Sequence, residues 1–409
     1  MTRPHCRAGL GVPVVVDRAN SGPQRPGDLY LPPKIAFNAT AVMRPSSGAT
    51  GLSDLQVVLE LHNPQCDPPV DCPTGPHPLA ADISAAFAYR ELDLNLEPSP
   101  FEMFVYPDSN PAFEGLYFLE PYQPGKIPVV FVHGLMSSPR TWIDTANDLR
   151  ANPEFNARYQ IWAFDYATGK PFVRAAAELR QALCDVTSEL AAAGDDPALR
   201  EIVLVGHSMG GLISKLQVTQ SGDDLWNSIA CEPIDQVALA PAVRNLAYEV
   251  FFFEPLPQVR RVIFVGTPHR GAAAATRLVG QISSTLVRRS PEELAMHRQI
   301  VADNRGAFRF SLQRRLPTSI DMLEPCNSML RAIDCLPISD AVHIHTIAGT
   351  GKYTVGVAAG DGVVPLKSAV HPLAESELLV KASHTQLHRH PESVDEIWRI
   401  LDEHARECR

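Results

Sequence analysis

The chain has 409 residues, 45% of them hydrophobic, and a formal net charge of −10. That length is enough for one large domain with an accessory region, or for two domains. The acidic balance argues against a partner with an exposed phosphate backbone, so we expect no nucleic acid. It is compatible with a neutral or lipid substrate.

No apolar run approaches the roughly 20 residues that a transmembrane helix needs, so we expect no membrane span. Any contact with a lipid surface is then peripheral. Residues 1–16 lack the apolar core and the cleavage site of a signal peptide. We expect a protein that is cytoplasmic as written, or exported if a targeting segment lies outside this sequence. The sequence does not define the oligomeric state.

The eight cysteines are not spaced as metal ligands, and we predict no metal site. Cys66 and Cys72 flank a Pro-rich loop, and Cys326 and Cys335 flank a short segment. Each pair either closes a small disulfide loop in an oxidising compartment or remains as two free thiols.

The N-terminal quarter of the chain divides into two parts. Residues 1–33 are rich in Pro, Gly and Arg and are predicted to form a flexible leader. Residues 34–100 are predicted to form a small β-rich region, because short alternating runs are separated by Pro, Gly and Asn clusters. The predicted strands are 35–42, 55–61 and 85–89.

Residues 101–409 are predicted to form an α/β domain, because buried strands alternate with amphipathic helices from about residue 127 onward. This alternation implies right-handed crossovers and a mostly parallel sheet. The predicted strands are 127–132, 159–166, 201–206, 262–265, 342–348 and 377–382, and the predicted helices are 139–150, 172–190, 209–219 and 393–406.

Two insertions interrupt this alternation, at about residues 221–259 and 288–340. Both follow elements on the side of an open α/β sheet where ligands bind. We predict that they form a helical cap over the site and supply an apolar acyl pocket. The alternative is a set of peripheral helices whose aromatic side chains face the core.

The strongest chemical signal is Gly-His-Ser-Met-Gly at residues 206–210, which follows a β-branched apolar strand and precedes a helix. In this context the pentapeptide is typical of a nucleophile elbow, with Ser208 as the nucleophile. Gly206 and Gly210 allow the strand and the helix to approach closely. The alternative is a Gly-rich turn with an incidental serine.

A serine nucleophile needs a base, and the base needs an orienting acid. On an elbow they follow in the order Ser, Asp/Glu, His. Asp361, in a Gly-flanked loop beyond the strand that ends near residue 348, is the predicted acid. Its competitors Asp321 and Asp340 precede that strand.

His384 is the predicted base because it directly follows the last apolar strand, where a side chain lies over the sheet edge. His388 and His390 are the alternatives, although they are better placed as the approach to the last helix. His371 lies in a Pro-bounded loop and is a weaker candidate.

Two backbone N–H groups are needed to stabilise an oxyanion. We predict Met209, directly after the nucleophile, and Leu135, in the loop after strand 127–132, with Met136 as the alternative to Leu135. His133 is predicted to brace this loop, and His207 to pack beside the nucleophile strand. The predicted pocket residues at this stage are His133, Gly134, Met136, His207 and Val363.

The motifs together resemble the α/β-hydrolase superfamily, and in particular bacterial lipase- and esterase-like members related to the GPI inositol-deacylase-like group. The resemblance rests on residues 128–135 (PVVFVHGL), 206–211 (GHSMGG), 266–271 (GTPHRG) and 361–365 (DGVVP), and on His384 after the last strand. Each motif alone is weak, whereas the set is specific.

This resemblance extends from about residue 116 to residue 408 and leaves the N-terminal region unexplained. It implies an α/β-hydrolase fold and ester hydrolysis through an acyl-enzyme, without metal or organic cofactor. It supports Ser208, Asp361 and His384 as the triad, and it adds Pro268 and His269 to the pocket.

We therefore expect a serine esterase or lipase that cleaves lipophilic acyl esters and whose substrate is a small-molecule or lipid ester. Acyl transfer to an alcohol is an alternative, because it uses the same residues. A hydrolase-fold binding protein without turnover is disfavoured, because every catalytic role can be filled.

Overall fold

The structure is a computed structural model. It describes residues 3–19, 25–32, 34–45, 56–92, 98–109, 111–272, 286–309, 312–313, 316–351 and 359–408. Parts of the predicted leader (1–2, 20–24 and 33), of the β-rich region (46–55 and 93–97) and of the second insertion (310–311 and 314–315) lie outside these ranges.

The N-terminal region contains a three-stranded antiparallel sheet in the order β2–β3–β4. Strand β2 falls inside the predicted leader and pairs with β3 along its whole length, from Val12 opposite Ala41 to Ala19 opposite Lys34. Its valine run favours this pairing, so the segment is not a flexible leader over these residues. The strands are β1 (Cys6–Arg7), β2 (Val12–Ala19), β3 (Lys34–Pro45), β4 (Val57–His62), β5 (Val70–Cys72), β6 (Gly75–His77) and β7 (Ala81–Asp82).

The predicted strand at 85–89 is wrong, because the structure has a helix, α1 (Ala85–Leu92), at this position. Alanine is the best helix former, and a polar side chain of β3 caps the helix start: Asn38 Oδ1 accepts from the Ala86 N–H at 2.9 Å. Ala86 and Phe87 are buried, whereas Ala88 and Tyr89 are exposed, a pattern with the period of a helix.

The predicted mostly parallel sheet is confirmed. It has seven strands in the order β14-β13-β12-β11-β9-β10-β8. Only β8, at one edge, runs antiparallel to its neighbour. The strands are β8 (Gly115–Phe118), β9 (Ile127–Val132), β10 (Tyr159–Asp165), β11 (Ile202–His207), β12 (Val259–Val265), β13 (His343–Gly349) and β14 (Ser376–Val380).

Strand β11 lies at the centre of this sheet, between β9 and β12, and all six of its residues are buried. Its alternate side chains contribute to two cores. Leu204 belongs to the core on one face, and Val203 and Val205 belong to the core on the other. Because β9, β11 and β12 are parallel, the segments that follow them meet at one edge.

Helices cover both faces of the sheet. The first core contains side chains of α5, α6 and α11, and the second contains those of α3, α4 and α14. The helices are α2 (Pro100–Val105), α3 (Ile143–Arg150), α4 (Pro153–Arg158), α5 (Phe172–Ala193), α6 (Met209–Lys215), α7 (Asp224–Asn227), α8 (Pro241–Phe251), α9 (Pro291–Asp303), α10 (Ser319–Met322), α11 (Ser328–Cys335), α12 (Leu366–Ala369), α13 (His384–Leu387) and α14 (Pro391–Glu407).

The two predicted insertions pack against each other. Trp226 of the first and Phe308 of the second belong to one apolar cluster, with ring centroids 6.3 Å apart. The Arg309 N–H donates to the carbonyl oxygen of Ile229 at 2.9 Å. Their role as a cap stays a prediction.

All eight cysteines are free thiols in the structure, including the two pairs considered for disulfides. Within the described ranges, every helix is too short or too polar to cross a membrane.

Candidate active site

Ser208 lies at the sharp turn between β11 and α6, with φ 55° and ψ −124°. A positive φ is unusual for a residue with a side chain and marks a strained functional turn. The flanking glycines make this turn possible. A Cβ on Gly210 would lie 2.3 Å from the Val132 carbonyl oxygen, and one on Gly206 would lie 2.6 Å from that of Gly210.

The structure brings Ser208, His384 and Asp361 into one hydrogen-bonded chain. The Ser208 hydroxyl donates to His384 Nε2 at 2.8 Å. The His384 Nδ1–H donates to Asp361 Oδ2 at 2.7 Å. All three residues are buried. This is the geometry that a serine needs to pass a proton to a base held in one tautomer.

The main chain holds each of these residues in place. The Ser208 N–H donates to the Val265 carbonyl oxygen at 2.9 Å, and the His384 N–H donates to that of Asp361 at 3.0 Å. The second oxygen of Asp361 accepts from the N–H groups of Val363 at 2.9 Å and Val364 at 2.7 Å. The Asp361 carboxylate is therefore held in place by backbone N–H groups of its own turn.

The other acids considered for the triad have different surroundings. Asp321 forms a capping box with Thr318 at the start of α10. Asp340 is exposed in a turn before β13. Neither is hydrogen-bonded to His384.

The competing histidines also lie in different surroundings. His388 Nε2 lies 2.8 Å from the Thr141 hydroxyl. His390 is the N-cap residue of α14. The ring of His371 packs against His269, with centroids 4.8 Å apart. The bonds to Ser208 and Asp361 are made by His384.

The loop after β9 lies directly against the nucleophile, since a Cβ on Gly134 would come within 3.0 Å of Ser208 Cβ. Met136 has φ 53°, and its N–H donates to the Thr168 hydroxyl at 3.2 Å. That bond occupies the Met136 N–H and favours Leu135 as the oxyanion donor. Met209 is the first residue of α6, where N–H groups have no acceptor within the helix.

Two of the predicted pocket residues have no exposed surface. His133 is fully buried, its Nε2 lies 3.1 Å from Asp165 Oδ1, and its ring stacks on Tyr166. It braces the loop, as the sequence suggested, but exposes no surface. His269 is also fully buried, against Phe264, with ring centroids 4.6 Å apart.

The remaining predicted pocket residues lie at different distances from the nucleophile. Gly134 and His207 are adjacent to it. Val363 is half-buried, and its N–H is bound to Asp361, whereas Pro268 is buried beside Gly271 in the turn after β12. Met136 packs in an apolar cluster beside the loop after β9. That cluster consists of Phe104, Val105 and Ile320, with Leu135, Met136, Leu286 and Val287 packed against it.

Sequence reasoning missed Thr168, Asp165 and Tyr166, which hold the loop after β9. The Tyr166 hydroxyl donates to the His133 carbonyl oxygen at 2.7 Å. Asp165 is the last residue of β10, the parallel neighbour of β9, and Tyr166 and Thr168 follow it. Polar residues at the end of that neighbouring strand were a signal that could have found them.

One group of possible metal ligands occurs among the described residues: Glu201, His404 and Cys408, whose donor atoms lie within 4.8 Å of one another. His404 Nε2 donates to the Glu201 carbonyl oxygen at 2.9 Å, and the Cys408 thiol donates to the Glu201 carboxylate at 3.4 Å. The three groups therefore satisfy one another. They tie the end of α14 to the start of β11, the end opposite Ser208.

The comparisons with known proteins agree with this fold. The family model described as the alpha/beta hydrolase family matches residues 129–397. No curated protein matches the sequence. The comparisons give no support for the narrower GPI inositol-deacylase-like group, which stays a prediction.

Solved structures similar to this chain include bacterial lipases and esterases. The mature lipase BlEst2 of Bacillus licheniformis is 21% identical over 70% of this chain and 97% of its own, with a TM-score of 0.41. A lipase-esterase related protein of Clostridium acetobutylicum is 14% identical over 70% and 99%, with a TM-score of 0.34. A thermophilic esterase of Thermogutta terrifontis is 16% identical over 71% and 94%, with a TM-score of 0.34.

The matched residues 129–397 begin in β9, contain the elbow turn and end in α14, so they span Ser208, Asp361 and His384. They make up well over half of the sequence. The chain belongs to the alpha/beta hydrolase family.

Proposed function

We propose that this protein is a serine carboxylester hydrolase that cleaves lipophilic acyl esters. The observation that carries the proposal is the buried hydrogen-bonded chain from Ser208 through His384 to Asp361. A serine hydroxyl is a poor nucleophile at neutral pH, and this arrangement supplies both the base and the group that orients it.

In acylation, His384 Nε2 removes the Ser208 proton as Oγ attacks the ester carbonyl carbon. The carbonyl oxygen becomes an oxyanion, and the N–H groups of Met209 and Leu135 stabilise it. When the tetrahedral intermediate collapses, His384 gives its proton to the leaving alcohol. Asp361 stabilises the imidazolium without taking up the proton.

In deacylation, His384 removes a proton from water, and the resulting hydroxide attacks the acyl-enzyme. The same two N–H groups stabilise the second oxyanion. The proton then returns from His384 to Ser208 Oγ as the acid leaves, so the enzyme regains its starting state.

The preference for lipophilic esters is supported by the apolar cluster beside the loop after β9. Phe104, Val105 and Ile320 pack against Leu135 and Met136 there. An acyl chain bound near the oxyanion donors would pass the half-buried side chains of Leu135 and Met136 and cover their remaining apolar area, which favours binding by about 25 cal/mol for each Å².

The test is hydrolysis of p-nitrophenyl esters by Ser208→Ala and His384→Ala. Each variant should lose several orders of magnitude in kcat, since triad residues act as a unit. The matched controls are Ser188→Ala, an exposed serine on α5, and His390→Ala at the start of α14. Parental activity in either triad variant would overturn the proposal.

The lipophilic preference is tested separately, with a series of esters of increasing chain length assayed below and above micelle formation. We expect kcat/KM to rise with chain length before it levels off. A constant or falling kcat/KM for the wild type would exclude that preference and leave the ester chemistry intact.

A further inference from the structure

The His207 side chain links the nucleophile turn to the backbone of the catalytic base. His207 directly precedes Ser208, and its Nε2 lies 3.0 Å from the carbonyl oxygen of His384. A carbonyl oxygen can only accept a hydrogen bond, so Nε2 carries the hydrogen and donates it.

The His207 ring is neutral. Burial lowers its pKa well below the usual value, and the neighbouring His388, His384 and His133 add to this effect. With the hydrogen on Nε2, the other nitrogen has none. Nδ1 is buried without a partner among the described side chains, 3.3 Å from where a Cβ on Gly134 would lie. The ring is therefore held in one tautomer.

The ring has little room to turn. Its centroid lies 4.8 Å from that of His384 and 4.5 Å from that of His388. Trp142 meets it edge-on at 6.3 Å. Such close packing restricts the ring to one rotamer, so the bond to the His384 carbonyl has a fixed direction.

This bond completes a two-ended hold on the His384 backbone. On one side the His384 N–H donates to the Asp361 carbonyl oxygen at 3.0 Å. On the other side its carbonyl accepts from His207. The acid and the nucleophile turn therefore each bind both the side chain and the main chain of the base.

We propose that His207 is a positioning residue: its hydrogen bond to the His384 carbonyl sets the height and tilt of the catalytic imidazole over the Ser208 hydroxyl. The inference rests on the proposed function and adds a residue to it. His207 makes no bond to the reacting Ser208 oxygen, so it transfers no proton. It acts on the rate through geometry alone.

The experiment compares two substitutions. His207→Met removes the donor and roughly keeps the volume, whereas His207→Gln keeps an N–H that can reach the carbonyl. We expect H207M to lower kcat on the order of 10- to 100-fold, because small misplacements of a base reduce the rate that much. KM should stay within about two-fold, and fluorophosphonate labelling of Ser208 should slow with kcat. H207Q should recover most of the lost kcat.

The matched control is His388→Gln. His388 is buried in the same stack of rings, but it is bonded to Thr141 rather than to the His384 backbone. H388Q should keep kcat within a few-fold of the wild type. The proposal is overturned if H207M keeps the wild-type kcat. It is also overturned if H388Q loses as much kcat as H207M, or if H207Q has no higher kcat than H207M, because ring packing would then explain the loss.

Circular dichroism and the melting temperature establish that each variant is folded. If H207M does not fold, His207→Asn replaces it, because its shorter amide falls short of the carbonyl. Labelling of wild-type Ser208 separates the two proposals. An unlabelled, inactive wild type overturns the function itself, whereas a labelled wild type with a fully active H207M overturns the inference alone.

Discussion

At the scale of single residues, Asp361 has two separate tasks. One carboxylate oxygen binds the His384 ring, and the other binds the N–H groups of Val363 and Val364. An asparagine can keep the second set of bonds with its amide oxygen. Its NH₂ group would then face His384 Nδ1 and force the wrong tautomer.

Asp361→Asn should therefore lower kcat by about 10⁴-fold, because His384 Nε2 would carry the hydrogen and could not accept one from Ser208. The melting temperature should change by only a few degrees. Steady-state kinetics and thermal unfolding of the same preparation check both statements. A kcat within tenfold of the wild type would contradict the assigned role.

Thr168 binds the loop that contains Leu135, one of the two predicted oxyanion donors. Its buried hydroxyl accepts from the Met136 N–H, and Met136 has the positive φ that turns this loop. Thr168→Val keeps the shape and removes the acceptor. We expect kcat to fall by about ten-fold, less than the roughly 10²–10³-fold expected for loss of a direct oxyanion donor.

The control for this substitution is Thr187→Val on α5, whose hydroxyl donates to the Leu183 carbonyl oxygen at 2.7 Å, away from the loop. It should leave kcat unchanged. Equal kinetics for both variants would show that the Thr168 hydroxyl does not support the loop.

At the scale of elements, the N-terminal strands are attached to the hydrolase core through α3. Asn147 is fully buried; its Nδ2 donates to the Arg3 carbonyl oxygen at 2.7 Å and its Oδ1 accepts from the Ser84 hydroxyl at 2.9 Å. The neighbouring Asp148 pairs with His5 at 2.7 Å and with Arg3. These bonds attach Arg3 and His5, near the start of the described chain, to α3.

Asn147→Ala should destabilise this attachment, because the Arg3 and Ser84 groups lose their partner at a buried site. We expect a loss of about 1–3 kcal/mol in the free energy of unfolding, with kcat unchanged at 25 °C. Urea unfolding measures the first quantity, and limited proteolysis should cut first within residues 1–89. Unchanged stability would indicate that the N-terminal region contributes little to the fold.

At the scale of the whole molecule, several histidines are buried in the neutral form. Burial lowers the pKa of His388 to about 4, that of His371 to about 4 and that of His345 to about 3. It lowers the pKa of His207 and His269 well below the usual value. In the unfolded chain all five would titrate near 6.5.

The unfolded state therefore binds more protons than the folded state between about pH 4 and pH 6.5. The free energy of unfolding should therefore fall as the pH drops through this window. Above the window these five histidines should not affect it. His388 alone accounts for about 1–3 kcal/mol of this loss.

Urea unfolding at pH 7, 5.5 and 4.5 measures this dependence. H388Q should show a smaller loss of stability with acid than the wild type. A free energy of unfolding that is constant between pH 7 and pH 4.5 would contradict the neutral state of these side chains.

How much of this could be predicted from the sequence differs from region to region. The order Ser208, Asp361, His384, each after a strand, predicted residues that do meet, because parallel strands end at one edge. His207 and Thr168 were not assigned their bonds, because those depend on distances between loops that no local pattern contains. Helix α1 was misread as a strand because five apolar residues fit either period.

The two-ended hold on His384 has a consequence for how such an enzyme would choose its substrates. The distance of 2.8 Å from the serine oxygen to the imidazole is set by bonds within the protein itself, so an arriving ester need not assemble the reactive centre. The enzyme would then discriminate between esters where they enter the site and where the acyl chain binds. A reagent too small to contact those surfaces should modify Ser208 in every molecule.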